Sequence, residues 1–176
     1  MHIAYLTPEY PHKHCSSSGG LGTSIKNMVK ALLKEGVQIS IILYGQEIDK
    51  YFEEEGIQFY LIKQKKYPVG GWYLYRKYLQ KKINQIVKEQ DVDLIESPDW
   101  TGATAFMNLV RKLVIRLHGT DAYFCELENR KQKWKNRLFE KIALKNADRH
   151  ISVSQFTAIK TNEVFNLEIP FSIIPN

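Results

Sequence analysis

Val37-Gln38-Ile39-Ser40-Ile41-Ile42-Leu43-Tyr44 is a short run dominated by β-branched and aliphatic residues, which reads as a buried strand. Directly before it Leu21, Ile25, Met28, Val29, Leu32 and Leu33 recur at helical spacings, and Gly36 is a natural stop after such a helix. Upstream again, His2–Leu6 reads as a first strand, joined to that helix by a polar, glycine-rich loop from Thr7 to Gly22. Strand, helix, strand is one βαβ unit, and the chain continues in the same alternation. Further strands are expected at Ile57–Ile62, Val92–Glu96, Leu113–Leu117, Arg149–Val153 and Phe171–Ile174. Helices are expected at Trp72–Glu89, with Tyr75, Tyr78, Leu79, Ile83, Ile86 and Val87 on one side, and at Gln155–Glu163. A helix over residues 132–146 should turn Trp134, Leu138, Ile142 and Ala143 inward. The acidic stretch 45–56 reads as a short helix or loop. The fold class that follows is α/β, a doubly wound parallel sheet whose strands are apolar on both faces.

The size of 176 residues suits one domain, and 44% apolar with 25% charged residues suits a globular one. No apolar run reaches the ~18 residues of a membrane span, and the first residues read as a strand, not a leader, so the expected compartment is the cytoplasm. Cys15 and Cys125 are too far apart in sequence to suggest a disulfide framework. The net charge of +6 is uneven. Residues 60–90 carry Lys63, Lys65, Lys66, Arg76, Lys77, Lys81, Lys82 and Lys88 against Glu89 alone, a local excess of +7. That segment is either a solvated face or the place where an anionic partner meets the chain.

Ligands of open α/β sheets bind beyond the carboxyl ends of the strands, so the residues just after each strand are the candidates. After the first strand, Gly19, Gly20 and Gly22 open a helix whose terminal N–H groups suit an anionic or hydroxyl-rich ligand. Their spacing is neither a dinucleotide fingerprint nor a P-loop, and a simple tight turn is the alternative. After the Val92–Glu96 strand stand Glu96, Ser97 and Asp99, carboxylates and a hydroxyl that can bind sugar hydroxyls; Asp99 can equally cap a short helix starting near Trp100. His118 leaves the next strand beside Gly119, either as a cleft residue or as a structural histidine, and Asp121 can cap a following turn. Ser154 is an N-cap or a ligand contact. His12, His14 and Cys15 cluster without the paired spacing of a zinc site, so no metal is expected, and a Cys15–His118 nucleophilic pair is conceivable from residue types alone.

Taken in order, Thr7-Pro8-Glu9-Tyr10-Pro11, Gly19-Gly20-Leu21-Gly22, Glu96-Ser97-Pro98-Asp99-Trp100, Arg116-Leu117-His118-Gly119, Ile151-Ser152-Val153-Ser154 and Ile173-Ile174-Pro175-Asn176 resemble family 4 glycosyltransferases of the GT-B fold. The resemblance spans the whole chain, as the N-terminal, Rossmann-like, acceptor-side domain. It implies a nucleotide-sugar donor, a glycan or lipid-linked acceptor, retention of anomeric configuration and no metal or other cofactor. It places Gly19, Gly20 and Gly22 near donor diphosphate and acceptor, and His118 at the reacting sugars. Such enzymes carry a C-terminal donor domain. Pro175-Asn176 corresponds to the end of the N-terminal half, so the 176 residues alone are expected to be inactive. Surface-polysaccharide or lipid acceptors would agree with a basic, aromatic segment 63–82 at the inner face of an anionic membrane. A non-catalytic α/β binding or regulatory module is the alternative reading. An RNA-binding protein is less favoured, because the aromatic residues share a face with aliphatic core positions.

Overall fold

The computed structural model describes residues 1–175; Asn176, the end of the last motif above, lies outside them. Eight strands form one sheet: β1 (His2–Thr7), β2 (Gln38–Gln46), β3 (Lys50–Glu54), β4 (Ile57–Lys63), β5 (Leu94–Pro98), β6 (Lys112–Leu117), β7 (Arg149–Ser152) and β8 (Ser172–Ile173). Their order is β3-β4-β2-β1-β5-β6-β7-β8. The helices are α1 (Gly20–Lys34), α2 (Gly71–Glu89), α3 (Asp121–Leu127), α4 (Trp134–Asn146) and α5 (Gln155–Phe165). This is the Rossmann-like α/β arrangement that the alternation of apolar strands and periodic helices predicts.

The chain forms two compact units, Met1–Glu96 with Asn108–Lys112, and Ser97–Met107 with the residues from Leu113 onward. In the first unit β1 pairs in parallel with β2 (Ala4 with Ser40) and with β5 (Ala4 with Ile95), and β2 pairs in parallel with β4 (Ile41 with Phe59). Residues 39–43 of β2 are buried without a break, as a strand covered on both faces requires. Ile3, Tyr5, Ile25, Val29, Ile41, Leu43, Phe59 and Leu61 belong to one core cluster. In α2 the buried residues are Leu79, Ile83, Ile86 and Val87. Tyr75 and Tyr78 are only half-buried, and the Tyr75 hydroxyl accepts a hydrogen bond from the Gly45 amide at 2.9 Å.

The stretch 45–56 is not a helix or loop throughout. Lys50–Glu54 is an antiparallel strand on β4, with Glu54 opposite Ile57. Glu55 and Gly56 between them both have positive φ, 55° and 75°, the signature of a two-residue hairpin turn.

In the second unit β7 pairs in parallel with β6 (Ile115 with His150) and with β8 (Ile151 with Ser172). The inward face of α4 differs from the expected one: Trp134 is 70% exposed and Leu138 is exposed, while Phe139, Glu140, Ala143 and Leu144 are buried. Two observations account for the rotation. Glu140 is held inside by hydrogen bonds described below. Gly102 also lies so close to α4 that a Cβ there would stand 2.3 Å from the Phe139 carbonyl carbon.

Candidate functional site

At the end of β1 the chain closes on itself. The Thr7 hydroxyl donates to the Glu9 carbonyl at 3.0 Å, and the Glu9 carboxylate accepts from the amides of Gly19 (3.0 Å) and Gly22 (2.7 Å). The start of α1 is therefore not a set of vacant donors, as the glycine spacing alone suggests. Two of those amides serve a carboxylate of the chain itself. A Cβ on Gly22 would displace the rotatable Ser18 hydroxyl and stand 3.2 Å from the Tyr10 α-carbon, whereas Gly20 faces open space. His12 stacks on Phe52 and Phe59 and hydrogen-bonds Glu54 at 3.1 Å, so it belongs to the β3–β4 hairpin. No cluster of metal-ligating side chains occurs among the described residues. Burial pushes the Cys15 thiol up to about 11, which leaves it protonated and a poor nucleophile at neutral pH.

In the second unit the ends of β5 and β6 meet through Asp99. Its buried carboxylate accepts from the amides of His118 (3.2 Å) and Gly119 (3.1 Å), while its own amide donates to the Arg116 carbonyl at 3.1 Å. Among the described residues its side chain caps no helix, so the capping alternative falls. Burial pushes this carboxyl up to about 7, against the pull of the two amides, and the charge of Glu140 adds to the rise. The His118 imidazole is half-buried and has no hydrogen-bond partner among the described residues. Burial, with the Arg116 guanidinium, lowers it to about 4, so the ring is neutral at pH 7. Gly119 has φ +113°, and a Cβ there would stand 2.9 Å from the Phe124 ring, so a side chain is disfavoured on both counts.

A buried glutamate braces both loops. Glu140 of α4 accepts from Thr101 N (3.2 Å), Asp121 N (2.9 Å), Ala122 N (3.2 Å) and Gln132 Nε2 (2.9 Å). α3 was not expected from the sequence, and its N-cap is Thr120, whose hydroxyl accepts from Tyr123 N at 3.0 Å. Asp121 is the first residue of α3 and not its cap.

The sequence model of glycosyltransferase family 4 matches residues 18–176. The chain belongs to glycosyltransferase family 4. A comparison with curated protein sequences finds no match. Among solved structures, sucrose-phosphate synthase from Thermosynechococcus elongatus superposes with a TM-score of 0.71 at 15% identity, covering 99% of this chain and 47% of that one. A second structure of that synthase gives 0.63 at 12% identity, with 100% and 89% covered. A glycosyltransferase from Rickettsia africae ESF-5 gives 0.60 at 17% identity, with 99% and 42% covered. This family 4 chain thus spans about half the length of the first and third of these proteins.

The strand-end residues of this family 4 chain divide between the two units. Gly19, Gly20 and Gly22 stand in the first, and Asp99, His118 and Ser154 in the second. The structure joins Asp99 to the backbone of His118, a link that the sequence order does not show. The Ser154 hydroxyl accepts from Thr157 N at 3.1 Å as the N-cap of α5. Glu140 escaped the sequence reading because an isolated acidic residue in a helix ordinarily marks its solvent side. No described helix is long and apolar enough to cross a membrane.

Proposed function

We propose that this chain is the acceptor-side domain of a nucleotide-sugar-dependent hexosyltransferase, retaining and metal-independent, acting with a second domain that holds most of the donor site. The observation that carries the reading is the Asp99 carboxylate fixing the His118–Gly119 backbone at the end of β6. A neutral imidazole on a braced loop can position a sugar hydroxyl or donate to a developing charge. His118 is the catalytic residue in this reading, as a positioning and polarising group and not as a general base. Asp99 acts through the loop. Gly19, Gly20 and Gly22, with the Gly19 and Gly22 amides on Glu9, shape the loop that would approach donor and acceptor, and Ser154, the N-cap of α5, holds the end of β7 in this reading. Family membership supports the transferase class, and the greater length of the structural neighbours supports a partner domain.

The test is an assay with a panel of nucleotide sugars and glycan or lipid-linked acceptors. Transfer is expected from a two-domain protein containing this chain and not from the 176 residues alone. Robust turnover by the 176 residues would overturn the need for a donor domain. Unchanged turnover in the two-domain protein after His118→Ala would overturn the assignment of His118.

A further inference from the structure

The large apolar side chains just before and within the first turn of α2 are exposed. Val69 is 82% exposed, Trp72 45%, Tyr73 40% and Leu74 42%, whereas the buried positions of the helix begin only at Leu79. Three consecutive large apolar residues point to several sides of a helix, so one packing partner within the unit could not cover them all. Cations surround them. Lys65 and Lys66 precede Val69 by a few residues and are exposed. Lys65 Nζ stands 4.1 Å over the Tyr78 ring, and Lys77 Nζ 5.4 Å from the Tyr73 ring centre. The first turn carries no acidic residue, and its N-cap is Gly70, without a side-chain cap. The positive end of the helix therefore adds to the lysines.

We propose that residues Val69–Leu74 seat in the interfacial layer of an anionic lipid bilayer, with Lys65, Lys66 and Lys77 on the headgroups. This rests on the reading of the chain as a glycosyltransferase domain only for its purpose, since it would bring the acceptor side to a membrane-borne substrate. The chemistry names the occupant. Trp and Tyr prefer the zone between headgroups and acyl chains, and lysine stems lie along apolar surface while their charges reach phosphate. No described helix can span a bilayer, so the contact lies in the interface. An RNA surface would be served by the lysines and rings but gives no use for exposed Val69 and Leu74.

Sedimentation with vesicles of phosphatidylcholine, with and without about a third phosphatidylglycerol, tests this on the chain itself without donor or acceptor, so its outcome is independent of any transfer assay. Binding is expected to need the anionic lipid and to weaken with salt. Lys65→Gln with Lys66→Gln should weaken it about thirtyfold, roughly fivefold for each lysine near such a surface. Trp72→Ser with Leu74→Ser should also weaken it about tenfold while leaving the melting temperature unchanged, because these side chains are exposed. Equal binding to neutral and anionic vesicles, or no vesicle binding with retention on single-stranded RNA, would overturn the proposal. Binding to anionic vesicles that the Trp72–Leu74 pair of substitutions leaves undiminished would overturn the seating of this turn.

Discussion

Asp99 carries a charge that its surroundings resist. With its carboxyl pushed up to about 7 from the usual 3.8, the folded chain keeps a proton that the unfolded chain has lost. Its contribution to stability is present below about pH 4 and is lost as pH rises to 7. His118 works in the opposite sense. Held down at about 4 from 6.5, it favours folding above about 6.5 and loses that contribution as pH falls towards 4. The two offset each other over the same window. Asp99→Asn removes one side of that balance, so the stability deficit of the variant relative to the parent should widen as pH falls from 7 to 4, measured by denaturant melts. The amide resonances of His118 and Gly119 should titrate with a midpoint near 7 in the parent and lose that step in Asp99→Asn. His118→Ala leaves no buried group without a partner, so it should spare the melting temperature. A structural histidine would cost about 1–3 kcal/mol instead. In the two-domain enzyme the same substitution should slow transfer by about 10²-fold, or roughly 2.7 kcal/mol of transition-state stabilisation.

The short turn Trp100–Gly102 is held against α4 by close contact and by hydrogen bonding. Gly102 has φ +57° and no room for a Cβ beside the backbone of Phe139 and Glu140, and Glu140 takes the Thr101 amide. Gly102→Ala should therefore destabilise the second unit by about 2–4 kcal/mol, combining overpacking with a left-handed backbone. A loss under 0.5 kcal/mol in urea melts would show that α4 yields easily. The same neighbourhood marks where sequence reading stopped. β1, β2, β4, β6 and α2 were legible because their apolar periods are strong, and the positions of Asp99 and His118 at strand ends followed from the strands before them. The inward face of α4 was not legible. Trp134 and Leu138 fit a helical stripe by size, yet close backbone approach at Gly102 and the bonds to Glu140 rotate the helix away from it. α3 was missed because its cap is a threonine that reads equally as a loop residue, and β3 because its turn signal is Glu55-Gly56, where an Asn or Asp would announce the hairpin.

At the scale of the whole chain, charge and composition bear on partners more than on fold. The excess of +7 in residues 60–90 lies outside the residues assigned to sugar transfer, so a substitution such as Lys81→Gln should leave transfer by the two-domain enzyme unchanged on soluble acceptors. The antiparallel edge has another kind of consequence, for the order in which the sheet assembles. Every other pairing described above is parallel and must wait for a crossover to close, whereas β3 and β4 meet across two residues. A hairpin of this kind forms in about 1–10 μs, so among the pairings described β3–β4 is able to form ahead of its neighbours. Glu55, held at φ 55°, sits in that turn in a left-handed backbone conformation. Glu55→Gly relieves about 1 kcal/mol of left-handed strain. If the hairpin is the nucleus, refolding should accelerate with unfolding little changed; if it zips up last, the gain will fall almost entirely on the unfolding limb.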